Sequence, residues 1–564
     1  MIHPSDVFAF CVAAFIALAF TSAGLYLTDE LSSANQLHQL GEGHQLTFHE
    51  DKYGFYDGTV DKSITGTNYV MTYSLLTPMI SLPIYLFTTL IPYDTVRFII
   101  SIFWFFVLIS VTTAVSVFYR NKLSERIYYF YGIIGVMIFL SVIFYTPFET
   151  TYLEVLSIVT TNVILYGIFG AVIWKSVSYL FYGEDRRIFM WIAIMSCSSL
   201  LFWVGTLKDH MLIALLFMVI LYSVIKFYDL GNKKHLLYSA VASGLIIWGR
   251  PELSIVIVPI ICSLLIYKFR NRCIAPLYTY GLVLGISIIP MFINNYIVTG
   301  SFIKFPFQAV KQTMGGFHLE TSNTIFDILF NEIPRTIIYN ISTISIDNII
   351  GIMIYPLNGG VGLLPIIMIP LIILTLLPYF IFVKKVKLIE PEKILFIFSF
   401  ITIIIYLFTL VLGFFLHAEK GILPDMRYFS LVYAPMMVAS LSILSRLYHE
   451  LNYKKLLKNL LIWFGIMLII FTIIVSILSI NGVMTITNIN LAANIISIIV
   501  CAISIAFCID VIRTNRYHEF EIIIPIIISI PLTWQIFTSI FVAKLYSYPM
   551  YISLMELVKV LVFG

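Results

Sequence analysis

About fifteen apolar runs, most of them near twenty residues long, follow one another along this 564-residue chain and leave it little else to become. A helix needs about 20 apolar residues to cross ~30 Å of hydrocarbon. Backbone in lipid must also satisfy its own hydrogen bonds, so such runs read as membrane-spanning helices. Composition agrees: 60% of residues are hydrophobic and 11% charged, with a mean hydropathy of +0.97. That excludes a soluble globular class, and no nucleic-acid partner is expected.

The first run, Val7 to Leu27, has no small-residue cleavage site behind it and is read as a retained helix. Others lie near residues 95–119, 127–146, 153–175, 188–206, 211–229, 235–249, 253–269, 275–296, 360–383, 394–416, 428–446, 459–480, 489–511 and 521–543. A further stretch, Tyr69 to Ile91, carries Pro78 and Pro83 and could either cross or lie at the surface. Lys and Arg near span ends concentrate on the cytoplasmic side, which decides the matter. If that stretch does not cross, RNKLSER (120–126), GNKKH (231–235), KFRNR (268–272), KKVK (384–387) and RTNR (513–516) share one side. That side then holds about two thirds of the 34 basic residues and only about a third of the 30 acids.

The expected fold is therefore an all-α polytopic bundle of about 13–15 transmembrane helices in a cell membrane, with external juxtamembrane helices and a cytoplasmic N-terminus. Residues 28–94 become a first external loop and 299–347 a second external segment. The six cysteines lie in or beside apolar runs, so neither disulfides nor a Cys-type zinc site is expected.

The external side gathers the polar chemistry. Asp29 and Glu30 stand where the first span ends, a place where partial desolvation raises a carboxylate's pKa and suits it to general-base work. Glu42, His44, His49, Glu50, Asp51, Asp57 and Asp61 make the same loop acidic. Glu149 and Glu154 tip a hairpin, where a solvated turn would also account for Glu149. Lys208, Asp209 and His210 crowd a very short turn, and Arg250 and Glu252 end another span at WGRPE. Asp425 and Arg427 do the same in ILPDMRY. Either arginine could anchor a helix end by snorkelling, or offer its planar fork to phosphate oxygens. The histidines with the acids are compatible with a divalent metal, although no HExxH spacing is present. No other cofactor is implied.

These residues resemble a family. A first helix followed by the DE pair and by Leu40-Gly41-Glu42-Gly43-His44 is similar to the GT-C glycosyltransferases, in particular the branch with protein O-mannosyltransferases and the lipid A aminoarabinose transferase. YSLLTPMISLPIYLF (73–87), GTLKDHM (205–211), WGRPE (248–252), NNYIVTGSF (294–302), YPLNGGVGLLPIIMIP (355–370) and RYFSLVYAP (427–435) follow in the family's order. His210 departs from it, standing where proline is frequent. The resemblance covers about residues 1–446, read as a GT-C-like catalytic domain, and leaves 447–564 as additional helices of unknown role.

The resemblance implies an inverting transfer of a hexosyl or pentosyl group from a polyprenyl-phosphate donor, at the external face, to a hydroxyl on a protein, glycan or lipid acceptor. A lipid phosphate leaves as a stable anion, so the chemistry needs one base and several cations more than two acids. On that reading Asp29 is the base, with Glu30 orienting the acceptor or sharing the role. Arg250 and Arg427, then Lys208, hold the donor phosphate. Asp209 holds one of these cations or a sugar hydroxyl, and His210, Glu42, His44, Glu149, Glu252 and Asp425 are supporting or sugar- and acceptor-binding candidates. The competing reading is a transporter or glycolipid flippase, for which ionisable groups belong near the bilayer midplane.

Overall fold

The computed structural model describes residues 3–20, 24–25, 30–43, 47–48, 60–62, 69–71, 74–91, 153–304, 313–314, 317–318, 331, 333–343, 346–354, 361–406, 427–448, 451–483, 485–514, 516–539 and 548–549. The expected spans at 95–119 and 127–146 lie outside them. The helices are α1 (Pro4–Phe20), α2 (Glu30–Gly41), α3 (Leu76–Thr89), α4 (Leu153–Leu180), α5 (Glu184–Ser196), α6 (Leu200–Val204), α7 (His210–Leu230), α8 (Lys233–Gly249) and α9 (Ser254–Phe269). Then come α10 (Ile274–Thr299), α11 (Ile333–Thr343), α12 (Ile346–Met353), α13 (Leu364–Phe382), α14 (Glu390–Tyr406), α15 (Ser430–Leu447), α16 (Tyr453–Ile480), α17 (Ile486–Thr514) and α18 (Phe520–Phe537).

Among the described residues, nine helical segments are long and apolar enough to cross a membrane: α4, α7, α9 with its flanking 3-10 turns (Pro251–Arg272), α10, α13, α15, α16, α17 and α18. The protein is a helical multi-pass membrane protein. Among the described residues, short strands lie outside the helices. They are β1 (Gly24–Leu25), β2 (Thr47–Phe48), β3 (Val60–Lys62), β4 (Tyr69–Met71), β5 (Thr313–Met314), β6 (Phe317–His318) and β7 (Tyr548–Pro549). All pair antiparallel, with β4 between β2 and β3, β5 on β6, and β1 on β7.

Small residues set the closest helix approaches. Ala9, Ala13, Ala14 and Ala17 of α1 are buried, and α1 lies antiparallel along α4. A Cβ added at Gly170 would stand 2.5 Å from that of Ala13, and one at Gly167 2.7 Å from the Phe10 ring. Two backbones can approach this closely only where side chains are absent, the usual means of holding helices together in lipid. Asp6 and Lys175 close the same pair at one end, 3.7 Å apart. The basic turns gather at that end, where Arg446 of α15 grips the buried Glu392 of α14 (Nε to Oε1, 2.9 Å) and Lys455 of α16 meets Glu521 of α18 at 2.8 Å.

Two apolar stretches do not form single full-length spans. The stretch around residues 69–91 yields a 14-residue helix, α3, about 21 Å long at 1.5 Å per residue and too short to span. It turns Met79, Leu86, Phe87 and Leu90 outward and buries Leu76, Thr77, Tyr85 and Thr88. The apolar run at 188–206, expected as one helix, breaks into α5 and α6 at Ser196-Cys197-Ser198-Ser199. Serine hydroxyls compete for helix carbonyls, and Ser196 Oγ donates to Ile192 O at 2.6 Å.

The break is repaired from α18. Gln535, 3% exposed, donates through Nε2 to Met195 O and Ser196 O (3.0 and 3.3 Å) and accepts from Leu201 N–H at 3.1 Å. From the other side Asn162 Nδ2 of α4 donates to Thr206 O at 2.8 Å. The helices beyond residue 446 thus share the main core and help hold the segment that leads to Asp209. Gln535→Leu is expected to cost about 2 kcal/mol, because each buried backbone group left without a partner costs about 1–3 kcal/mol. Scanning fluorimetry in detergent should read this as a melting midpoint several degrees lower. An unchanged midpoint would show that Gln535 does not brace the break.

Candidate active site

At the end of the bundle opposite the basic turns, three separate stretches of sequence converge. The first is the turn between α6 and α7. Asp209 occupies the N-cap position of α7 but makes no cap with its side chain. Its carboxylate goes instead to Arg250, whose Nε and Nη2 donate to Oδ2 and Oδ1 at 2.7 and 2.6 Å. Both side chains are about four-fifths buried, at 20% and 19% exposed. This two-point pair fixes the plane of the guanidinium as well as its position.

The second stretch is the end of α8. Arg250 is its C-cap, with φ −139° and ψ 80°, and Pro251 follows at the start of a 3-10 turn, which stops the helix where the arginine leaves it. Gly249 packs closely against its neighbours: a Cβ there would meet Ile213 Cδ1 at 2.9 Å and Leu76 Cδ2 at 3.2 Å. Ser74 Oγ, just before α3, donates to Trp248 O at 3.1 Å, so the surface helix is tied to this helix end. Glu252 Oε1 lies 3.8 Å from Arg250 Nη1 on the far side from Asp209.

The third is the start of α15. Arg427 opens the 3-10 turn Arg427–Phe429, and the Tyr428 ring lies 5.5 Å from Arg250 Cζ, within cation–π range. His210 is buried between Trp203 (4.5 Å) and Tyr428 (6.2 Å). Lys208 is half-buried in the turn, its N–H donating to Thr206 Oγ1 at 3.3 Å.

A second polar cluster lies on α2, the helix that begins with Glu30. Glu154, in the first turn of α4, is completely buried. His38 Nδ1 stands 2.9 Å from its Oε1 and Tyr85 Oη donates to the same oxygen at 3.1 Å. An accepting carboxylate puts the imidazole proton on Nδ1. Burial, and then the Glu154 charge, push the Tyr85 phenol up from its ordinary pKa, so it remains a donor. Glu42 is exposed just beyond α2, near enough for its charge to add to that shift.

Of the residues expected from sequence, Asp209, His210, Arg250 and Glu252 come together, with Lys208 in the same turn. Asp29, His44, Glu149 and Asp425 lie outside the described residues, as do His49, Glu50, Asp51 and Asp57. For Glu30 and Arg427 the backbone position alone is described. Among the described residues no three His, Cys, Asp or Glu stand together so as to hold a metal ion. Sequence reasoning passed over Tyr428, Trp203 and His38. Tyr428 had a signal, its adjacency to Arg427 in RYFSLVYAP, whereas nothing local marks His38 as the partner of a residue 116 positions away.

No protein-family model and no curated protein matches this chain. Among solved structures, the crystal structure of ArnT from Cupriavidus metallidurans bound to undecaprenyl phosphate is similar in fold, aligning with 95% of this chain and 77% of that one at a TM-score of 0.44 and 10% sequence identity. Similarity of that degree says nothing of the reaction.

Proposed function

We propose that the chain is an inverting glycosyltransferase that moves a sugar from a polyprenyl-phosphate donor to an acceptor hydroxyl, with its site on the external face and its N-terminus in the cytoplasm. The observation that carries the reading is the Asp209–Arg250 pair, a guanidinium held in a fixed plane at the end of the bundle away from the basic turns. The order of the sequence motifs that resemble the GT-C glycosyltransferases supports it, and the collection of basic turns at the other end supports the orientation.

In the proposed reaction Asp29 takes the proton of the acceptor hydroxyl as its oxygen bonds to the anomeric carbon. The bond from that carbon to phosphate oxygen breaks on the opposite face, and its electron pair leaves with the lipid phosphate. Arg250, with Arg427 and Lys208, receives the charge that collects there. Donors already aimed at developing charge need no reorganisation during the step, and Asp209 supplies that aim by fixing the guanidinium plane. Glu30 orients the acceptor. Protein, glycan and lipid acceptors all fit a hydroxyl nucleophile, and a divalent metal would draw on His44, His49 or His210 with the acids of the external segments. The lipid tail can lie among the spans, open to the bilayer.

The distribution of charge counts against transport. In the nine described spans every Asp, Glu, Lys and Arg lies in the first or last two turns, from Glu154 and Lys175 in α4 to Glu521 in α18. A polar path would need ionisable groups at mid-depth. The deciding experiment gives the purified protein a panel of polyprenyl-phosphate sugars with acceptor and follows carrier release. Release of polyprenyl phosphate matched by a glycoside of inverted anomeric configuration is expected. Movement of intact donor across liposomes, without cleavage, would establish transport instead.

A further inference from the structure

The proposed reaction makes no direct use of Glu154, yet it is the most deeply buried carboxylate near the site and joins three elements that sequence alone leaves apart. Its Oε1 accepts from His38 of α2 and Tyr85 of α3, and His38 Nδ1 also lies 3.2 Å from Tyr85 Oη. The first turn of α4, where Glu154 stands, favours a carboxylate through the helix dipole. Around this contact Ala34 and Leu37 of α2, Tyr85 of α3, Val155, Ile158 and Val159 of α4, and Leu207 form an apolar cluster distinct from the main core. Leu207 directly precedes Lys208 and Asp209. Gly41 lets α2 reach this seat, since a Cβ there would overlap the Tyr85 ring at 2.2 Å.

Register gives the contact its reach. Glu30, Ala34 and His38 are spaced i, i+4 and i+8, on one face of α2 and about 12 Å from first to last. A turn or slide of α2 on this seat would carry Glu30, its first residue, with it. We propose that Glu154, acting through His38 and Tyr85, is a positioning residue that seats α2 and so sets its first residue, Glu30, in register with the turn bearing Asp209. The buried carboxylate thus ties the helix that begins at Glu30 to the turn that bears Asp209.

This inference rests on the proposed glycosyl transfer, and its test separates the two. Full-length protein in nanodiscs is assayed as wild type, His38→Ala, His38→Asn, Tyr85→Phe and Glu154→Gln, for donor affinity, kcat and amide exchange. His38→Ala should lower kcat about 10–100-fold, the range for a reacting group misplaced by about 1 Å, with donor affinity unchanged. Exchange should quicken across residues 31–41 and stay unchanged in α4 and α7. His38→Asn, which keeps a nitrogen donor near the place of Nδ1, should restore most of the activity. Tyr85→Phe and Glu154→Gln should move kcat in the same direction without loss of donor affinity. The inference is overturned if His38→Ala keeps wild-type kcat, if donor affinity falls in step with kcat, or if His38→Asn does no better than alanine. A wild type that releases no carrier from any donor counts against the reaction itself. Exchange across α2 then decides alone: faster in His38→Ala supports the seat, and unchanged overturns it.

Discussion

Asp29→Asn should abolish sugar transfer from a polyprenyl-phosphate donor while leaving the protein folded and donor affinity near that of wild type. Asparagine keeps the shape of the side chain and removes its basicity, so the substitution isolates proton abstraction from packing. General-base catalysis is worth about 10²–10⁴-fold, and a variant retaining more than about a tenth of wild-type turnover would contradict the assignment. Asp29 stands one residue before α2 in the sequence, and α2 itself is seated on α3 and α4. Glu30→Gln separates the two acids. A smaller loss of kcat with a raised acceptor KM marks Glu30 as the orienting group, and a loss equal to that of Asp29→Asn exchanges or merges their roles.

Arg250→Ala should act on two quantities at once. A charge-assisted hydrogen bond contributes about 1.5–3 kcal/mol, so loss of a guanidinium contact to the donor phosphate should weaken donor binding about 10–100-fold. The same change strands Asp209, about a fifth exposed, with Glu252, about a quarter exposed, close by. Breaking a fully buried pair costs about 3–5 kcal/mol, and the remaining exposure puts the expected loss at the lower end. Arg250→Lys restores the charge without the two-point fork and should recover stability more than affinity. Asp209→Asn keeps Arg250 charged but loosens its plane, so kcat should fall more than donor affinity. Equal donor affinity in wild type and Arg250→Ala would remove this arginine from the phosphate site.

Membrane residence and multiple spans were legible in the sequence, because they depend on local quantities. Burying apolar side chains and satisfying backbone hydrogen bonds act over a single run of about twenty residues. Helix ends such as Gly249-Arg250-Pro251 were legible for the same reason. The break at Ser196–Ser199 was not, since its repair comes from Gln535, more than three hundred residues later. Sequence also marked Asp209 and Arg250 as polar groups at helix ends and assigned Asp209 one of three cations or a sugar hydroxyl to hold, but it did not single out Arg250, 41 positions away.

His38 shows the same limit most plainly. A histidine in a half-polar helix has no local feature that separates it from a solvated one, and its role exists only where α2, α3 and the first turn of α4 meet. Sequence by itself determined the class of protein and the kinds of side chain available at helix ends, because hydropathy and helix periodicity are properties of neighbours along the chain. Tertiary structure alone decided which acid faces which cation and which carboxylate is buried. Those outcomes depend on desolvation and on distances of about 3 Å between groups that the sequence keeps far apart.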